Sequence, residues 1–213
     1  MGKKRMVNSR PGLIIVLEGI DQSGKRTQSR ILFEQIEKQG LPAAYISFPD
    51  YTTVIGKEIE AFLAGKRSYN LQARHMLLSL NRWEHKDNLD RWLNEGRVVV
   101  VNRYSGSNYA YGVAQGLSLD WLMNLEKGLP EPGLTVLLDV PIAASLERKI
   151  AERDVHERDQ DLLRRVREEY LKLAAKWGWR IINGARGADQ VQRDVWQAVE
   201  ERLQLRSSHG KRV

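Results

Sequence analysis

The chain has 213 residues, 42% of them hydrophobic and 29% charged, and it contains no cysteine. This length suits one large domain or two small ones, with enough residues for a substantial core. The absence of cysteine excludes disulfide frameworks and thiolate metal or nucleophile sites. No apolar run approaches the ~18 residues of a membrane span, and the basic N-terminus lacks the apolar stretch of a secretion signal. We therefore expect a cytoplasmic protein that makes no membrane contact.

The net charge of +7 reflects 34 Lys and Arg residues against 27 Asp and Glu residues. Residues 1–10 hold four basic residues and residues 204–213 hold three, with no acidic residue in either segment. The stretch between them, 11–203, is therefore formally neutral. A nucleic-acid-binding protein needs a basic surface along its body, so we predict no nucleic-acid partner. We expect one folded domain over 13–203 between basic tails at 1–12 and 204–213.

Five short apolar runs alternate with amphipathic stretches along the chain. The runs are continuous and rich in β-branched residues, which is typical of strands buried on both faces of a parallel sheet. They cover Leu13–Leu17, Ala43–Phe48, Val98–Val101, Leu134–Leu138 and Arg180–Ile182. The stretches have helical spacing of apolar residues and cover Ser29–Lys38, Leu71–Leu93, Ile142–Ala151, Asp161–Trp177 and Asp189–Leu203. This alternation predicts a three-layer α/β fold with a ligand site at the carboxyl ends of the strands.

A glycine-rich loop directly follows the first predicted strand. Its sequence is Gly19-Ile20-Asp21-Gln22-Ser23-Gly24-Lys25-Arg26-Thr27, which fits the pattern G-x-x-x-x-G-K. In such a loop the glycines let backbone N–H groups converge on phosphate oxygens, and the lysine reaches the β- and γ-phosphates. We predict that these nine residues, named the phosphate loop below, bind ATP.

Arg26 occupies the loop position where the pattern has serine or threonine. The hydroxyl at this position normally ligates Mg²⁺, which a guanidinium cannot do. Two interpretations stay open. Arg26 either points at the phosphates and supplies charge to the transition state, or it turns to solvent while Thr27 or water completes the metal shell.

Further motifs follow the phosphate loop in a characteristic order. Together with Leu17-Glu18-Gly19 they are Phe48-Pro49-Asp50, Asn81-Arg82-Trp83-Glu84, Asn102-Arg103-Tyr104, Ala110-Tyr111-Gly112 and Leu137-Leu138-Asp139-Val140. Over residues 13–203 this order resembles the thymidylate kinases, most closely their archaeal members. The resemblance implies a P-loop nucleoside monophosphate kinase fold, with a five-stranded parallel sheet flanked by helices. It also implies a homodimer that uses ATP and Mg²⁺ to convert dTMP to dTDP for dTTP synthesis.

The resemblance assigns polar roles at the dTMP site. Asp21 would accept a hydrogen bond from the sugar 3′-hydroxyl, and Tyr111 would disfavour a ribose 2′-hydroxyl. Arg82 and Asn81 would bind the thymine edge, since an arginine fork and an amide suit a carbonyl and a ring N–H. The alternative for Arg82 is a solvated partner of Glu84 on one helix.

The resemblance also places apolar and phosphate-binding residues. Phe48 and Leu63 would line the base pocket, and Arg103 would hold the phosphates of donor and acceptor. Tyr51 and Leu78 stand where many members have an arginine and an aromatic residue, so dTMP affinity could suffer at both places. The alternative for Phe48, Leu63 and Tyr111 is that they belong to the ordinary core. The alternative for Arg103 is a structural arginine with its own carboxylate.

A charged segment near 148–160 lies where nucleoside monophosphate kinases carry a mobile lid. Its arginines expected to reach ATP are Arg148, Arg153 and Arg158. The residues expected to act in catalysis are Lys25, Arg26, Arg103 and Arg158. The alternative for the segment is a solvated helix face.

The Mg²⁺ ligands are less well defined, because Asn102 stands where the family more often has aspartate. The candidates are Asp139, Asp21 and Glu18, directly or through water. No general base is required, because a phosphate monoester with a second pKa of about 6 is largely dianionic at neutral pH. The rival functions are another nucleoside monophosphate kinase, a deoxynucleoside kinase with a carboxylate base, and a nucleic-acid-binding protein with a vestigial loop.

Overall fold

A computed structural model describes residues 12–147 and 160–209 of the chain. The strands are β1 (Leu13–Glu18), β2 (Ala43–Ser47), β3 (Val98–Asn102), β4 (Leu134–Asp139) and β5 (Arg180–Asn183). They form one sheet in the order β2-β3-β1-β4-β5, with every neighbouring pair parallel. The five predicted strands and their parallel arrangement are thus confirmed.

Helices cover both faces of the sheet. They are α1 (Lys25–Lys38), α2 (Val54–Leu63), α3 (Leu71–Trp83), α4 (Lys86–Asn94), α5 (Ser105–Ala114), α6 (Leu119–Glu126), α7 (Ile142–Glu147), α8 (Gln160–Trp177) and α9 (Ala188–His209). Leu13, Ile15 and Leu17 of β1 pack toward α1 and α9, whereas Ile14 and Val16 pack toward α4. Because side chains of β1 pack against helices on both faces, this strand lies in the middle of three layers. Burial of each of these side chains contributes ~1.5–3 kcal/mol to the stability of the fold.

The single helix predicted over Leu71–Leu93 is wrong, because α3 ends at Trp83 and α4 begins at Lys86. The turn between them contacts the loop after β2. Glu84 accepts a hydrogen bond from Thr53 Oγ1 at 2.8 Å, and Nε2 of His85 lies 3.0 Å from Oδ2 of Asp50. The break lies at His85, whose backbone (φ = −100°, ψ = 2°) departs from the helical conformation that Glu84 still has.

The sequence predicts two basic tails from the charge distribution and a lid from the resemblance to the thymidylate kinases. The helix α9 continues to His209, so the first residues of the segment from 204 are helical, and the division into a domain and basic tails stays a prediction. The segment at 148–159 and the tail at 1–11 lie outside the described residues. Across 12–147 and 160–209, none of the helices has both the length and the apolar character needed to cross a membrane.

Candidate active site

The phosphate loop connects β1 to α1, as the sequence predicts. Gly24 has φ = 91° and forms the N-cap of α1, a backbone conformation that favours glycine. Lys25 is 5% exposed, and its Nζ donates to the carbonyl of Ile20 and to Oγ of Ser23 at 3.3 Å. The ammonium therefore lies over its own loop, beside the helix N-terminus, which is the arrangement that binds phosphate groups.

Arg103 follows β3 and reaches back to the phosphate loop. Its φ of 64° is left-handed, a strained conformation that often marks functional sites. Nη2 donates to Oδ1 of Asp21, and Nη1 donates to Oγ of Ser107 at 3.2 Å. Tyr111 donates to Oδ2 of the same aspartate at 2.6 Å. Burial alone would lower the pKa of Arg103. The charge of the Asp21 carboxylate opposes burial, and the pKa lies well above its usual value, so the guanidinium stays charged.

A pocket opens at the carboxyl ends of the strands beside this pair, and we name it the strand-end pocket. It is lined by Asp21, Phe48, Pro49, Tyr51, Leu63, Leu78, Arg82, Arg103, Tyr104, Ser107, Asn108 and Tyr111. The structure thus brings together eight of the nine residues that the sequence assigned to dTMP.

Asn81 is the exception, because its side chain does not line the strand-end pocket. It is fully buried and binds the loop after β2. Its Oδ1 accepts from the backbone N of Asp50 at 2.8 Å, and its Nδ2 donates to Oγ1 of Thr53 at 2.9 Å and Oε2 of Glu84 at 3.0 Å. The expected contact of Asn81 with the base is corrected to a role in fixing this loop.

Arg82 is buried at 3% exposure, so the alternative of a solvated partner of Glu84 is wrong. Its carboxylate partner is Glu126 of α6, which accepts from Nε at 2.8 Å and from Nη2. Burial lowers the pKa of Arg82, and the charge of Glu126 raises this pKa above its usual value. The guanidinium is therefore a permanent cation in the wall of the strand-end pocket.

Glu18 ends β1 and is fully buried. Its Oε1 accepts from the backbone N–H groups of Tyr104 at 2.9 Å and Ser107 at 3.1 Å, and its Oε2 accepts from the hydroxyls of Ser107 and Tyr170 at 2.6 and 3.1 Å. It caps the N-terminus of α5 across the sheet. Burial raises the pKa of the Glu18 carboxyl above its ordinary value of 4.5, although these hydrogen bonds oppose the shift.

The candidate carboxylates for Mg²⁺ are all engaged by protein groups. Asp139 receives two hydrogen bonds from Arg167, at 2.6 and 2.8 Å, and Asp21 and Glu18 have the partners described above. Among the described residues, no three His, Asp or Glu side chains group as a metal site. By contrast, Oδ1 of buried Asn102 has no hydrogen-bond partner in the described part of the chain.

Arg26 is exposed at the start of α1, and so is Thr27. Arg26 lines a second cavity, which also contacts Tyr51, Asn102 and Arg103. This cavity shares Tyr51 and Arg103 with the strand-end pocket, so the two cavities adjoin and Arg26 lines the neighbouring one.

These features can be compared with known proteins. A family model described as "Thymidylate kinase" matches residues 17–195. The chain belongs to the thymidylate kinase family. A thymidylate kinase of Dictyostelium discoideum is 34% identical over 195 residues, which cover 91% of this chain and 87% of the relative. A probable thymidylate kinase of Pyrococcus abyssi is 37% identical, over 90% of this chain and 98% of the relative. The human thymidylate kinase is 32% identical, over 92% of this chain and 93% of the relative.

The fold of the family is shared as well. A solved thymidylate kinase of Candida albicans matches with a TM-score of 0.81 and 32% identity, over 90% of this chain and 92% of that one. The prediction of a P-loop nucleoside monophosphate kinase fold is confirmed. Identities to archaeal and eukaryotic relatives lie close together, so the closer likeness to archaeal members stays a prediction.

Some thymidylate kinase expectations lie beyond the described structure, and some site residues were missed. Arg148, Arg153 and Arg158 lie outside the described residues.

Tyr104, Ser107 and Asn108 line the strand-end pocket without having been predicted, although all three follow the strand-end Arg103 closely. Glu126 gave no local signal, because only the packing of α6 on α3 brings it to Arg82.

Proposed function

We propose that the chain transfers the γ-phosphoryl group of ATP to dTMP, giving dTDP and ADP, as a step of dTTP synthesis in the cytoplasm. Membership of the thymidylate kinase family supports both substrates. The observation that carries the acceptor assignment is the strand-end pocket, in which Asp21 of the phosphate loop shares one lining with Arg82, Arg103 and Tyr111. An enzyme of this class works by positioning two phosphorylated substrates and neutralising their charge.

The phosphate loop is proposed to hold ATP. Its backbone N–H groups and Lys25 bind the phosphates, and Arg103 bridges donor and acceptor. Arg26 supplies additional positive charge to the transferring group from the neighbouring cavity. Of the two interpretations of Arg26, we thus favour a role at the transition state over a side chain turned to solvent. The lid arginines at 148, 153 and 158 complete this set as predictions from the sequence.

The strand-end pocket is proposed to hold dTMP with its base between Phe48 and Arg82. Phe48, Leu63 and Leu78 supply apolar walls, and the guanidinium of Arg82 supplies hydrogen-bond donors to the thymine edge. Asp21 binds the 3′-hydroxyl, and the ring of Tyr111 closes the space beside C2′. The acceptor phosphate then faces Arg103 and Tyr51 at the edge nearest the phosphate loop.

Mg²⁺ is proposed as the accompanying ion, and it neutralises charge on the phosphates when it is bound. Asn102 fits such an ion, because its buried Oδ1 is a neutral oxygen without a partner among the described residues. Mg²⁺ prefers octahedral oxygen ligands and is commonly held by substrate phosphates and water with few protein groups. Asp139, Asp21 and Glu18 are then left to their protein partners.

The chain is also proposed to form a homodimer. Met76 and Leu80, one turn apart on α3, are 48% and 46% exposed, and Met123 of neighbouring α6 is 39% exposed. A second copy packed on α3 would cover Met76 and Leu80. Leu80→Glu should then shift the sedimentation coefficient from that of a dimer to that of a monomer, and an unshifted dimer would place the interface elsewhere.

The proposed reaction can be tested by product analysis. The purified chain is incubated with ATP, Mg²⁺ and dTMP, and the nucleotides are separated by ion-exchange chromatography. Equal amounts of dTDP and ADP are expected. ADP without dTDP would indicate hydrolysis of ATP, and the appearance of thymidine would indicate phosphatase activity; either result contradicts the proposal.

A further inference from the structure

Arg82 belongs to a buried network behind the strand-end pocket. Its Nε and Nη2 donate to the two carboxylate oxygens of Glu126, and both side chains are only 3% exposed. In a two-point pair of this kind the planar groups lie edge to edge. The pairing therefore fixes the direction of the guanidinium as well as its position.

Asn108 holds Glu126, and His75 in turn holds Asn108. Nδ2 of Asn108 donates to Oε1 of Glu126 at 2.9 Å and to the carbonyl of His75 at 3.3 Å. Because the amide nitrogen faces two acceptors, Oδ1 of Asn108 turns to Nδ1 of His75, 2.7 Å away. This nitrogen of His75 therefore carries the proton and donates.

The end of α6 is also tied to the helix that carries Arg82. Oγ of Ser79 and Nε1 of Trp83 both donate to the carbonyl of Leu125, at 3.0 and 2.8 Å. Leu125 precedes Glu126, so these bonds anchor the carboxylate on α3. Glu126 and Arg82 consequently keep one relative orientation.

The donors that remain on Arg82 decide what the pocket accepts. Arg82 and Asn108 line the strand-end pocket, whereas Glu126 does not. Of the five N–H groups of Arg82, Glu126 takes one on Nε and one on Nη2. The others lie on Nη1 and Nη2, and none has another partner in the described part of the chain. A guanidinium offers only donors, so the part of the wall formed by Arg82 binds a carbonyl oxygen and repels an amino group.

We propose that Glu126, supported by Asn108, is a positioning residue that turns the donor edge of Arg82 into the strand-end pocket. It thereby makes the pocket select a 4-keto pyrimidine such as thymine over a 4-amino pyrimidine such as cytosine. The inference rests on the proposed function, because it requires the acceptor base to lie against Arg82. Glu126 acts only through Arg82 and touches neither base nor phosphate.

The test compares kcat and KM for dTMP, dCMP and ATP in wild type and Glu126→Gln. The glutamine places an N–H group against the donors of Arg82, so the guanidinium loses its fixed direction. We expect the KM for dTMP to rise about tenfold and the dTMP:dCMP ratio of kcat/KM to fall about tenfold, with the KM for ATP within about twofold. Asp120→Asn, which removes an exposed carboxylate from the same helix, should change none of these values.

Glu126→Asp keeps the charge and covers the case in which the glutamine variant does not fold. Its shorter side chain cannot reach both nitrogens equally, so an intermediate loss of selectivity is expected. In an Arg82→Ala background, Glu126→Gln should add less than about twofold, because its effect passes through Arg82. A fully additive loss would contradict that route.

The outcomes separate this inference from the proposed function. An unchanged dTMP:dCMP ratio in a folded Glu126 variant, with a changed melting temperature only, would show a structural role and overturn the inference. If Arg82→Ala raises the KM for dTMP and the Glu126 variants do not, the inference alone fails. If Arg82→Ala leaves the KM for dTMP unchanged, the proposed placement of the base fails and the inference falls with it.

Discussion

Arg103, directly after β3, donates from Nη2 to Oδ1 of Asp21 in the phosphate loop. The pair joins the two parts of the site, because Asp21 lies in the loop assigned to ATP and both residues line the pocket assigned to dTMP. Tyr111 donates to the other oxygen of Asp21, so the carboxylate is held from two sides. The strained backbone of Arg103 is the cost of placing its guanidinium there.

Arg103→Lys should lower kcat/KM for dTMP by ~100-fold. An ammonium is a point charge and cannot serve Asp21, Ser107 and a phosphate in the fixed geometry of a guanidinium. A coupled ADP-release assay measures the change. Arg97→Lys, at the opposite end of β3 and paired with exposed Glu95, is the matched control and should stay near wild type. A lysine variant at 103 within threefold of wild type would contradict the assigned role.

Tyr111→Phe should raise the KM for dTMP by ~10-fold, because it removes a hydrogen bond to the charged group of Asp21. Burial, together with the negative charge of Asp21, raises the pKa of the Tyr111 hydroxyl well above its usual 10, so this donor is protonated throughout the neutral range. The ring remains, and the preference for dUMP over UMP should therefore be unchanged. Steady-state kinetics with the three acceptors provide the measurement. A lost preference in the phenylalanine variant would show that the hydroxyl, not the ring, excludes the ribose.

Arg26→Ser restores the usual residue of the loop pattern and tests the two interpretations of Arg26. If the guanidinium acts on the transition state, kcat should fall by at least about tenfold. Lys38→Ser, a loss of positive charge at the far end of the same helix, should leave kcat unaltered. An unchanged or higher kcat in Arg26→Ser would assign Arg26 to solvent and favour Thr27 or water at the metal.

Glu18→Gln should alter how stability depends on pH. The pKa of the Glu18 carboxyl is raised by burial, so the folded chain binds a proton that the unfolded chain releases above about 4.5. The stability contributed by this group is fully present below that pH and is lost as the pH rises through the folded-state value. The free energy of unfolding of wild type should therefore fall relative to that of Glu18→Gln as the pH rises above about 4.5. Urea unfolding at several pH values measures the free energy of unfolding of both proteins. Wild type that gains stability relative to Glu18→Gln as the pH rises would refute the raised pKa.

Asn102→Asp should raise the affinity of the enzyme for Mg²⁺. The substitution replaces a neutral oxygen without a partner in the described chain by a carboxylate, while Ser47, which accepts from Nδ2 at 2.8 Å, can donate to it instead. The Mg²⁺ concentration for half-maximal velocity should fall several-fold. Titration of Mn²⁺ followed by electron paramagnetic resonance provides a second readout. Equal metal affinity in both proteins would place the ion away from the end of β3.

The strands could be predicted because their signal is local. Val98–Val101 and the run before the phosphate loop are continuous and β-branched, and such runs have few alternatives to a buried parallel strand. The helix α5 had no such signal, since Ser105–Asn108 are poor helix formers. Its N-terminus depends on Glu18, a residue of another element, which sequence periodicity cannot reveal.

The site divides in the same way. The phosphate loop and Arg103 stand in short motifs, and the structure places them where those motifs predict. Asn81 and Arg82 share one motif, yet successive side chains on a helix point in different directions, and only Arg82 reaches the strand-end pocket. Glu126 is 44 positions from Arg82 and 18 from Asn108 along the chain, so the contact of α3, α5 and α6 had to be seen before its part could be inferred.

The central claim is that the strand-end pocket takes dTMP as phosphoryl acceptor. The most direct measurement is ADP release with ATP and Mg²⁺ across dTMP, dUMP, dCMP, dAMP, dGMP and UMP, each compared by kcat/KM. We expect the highest value for dTMP, a lower value for dUMP and little turnover of the purine, cytosine and ribose compounds. No turnover of dTMP alongside clear turnover of another monophosphate would contradict the acceptor assignment.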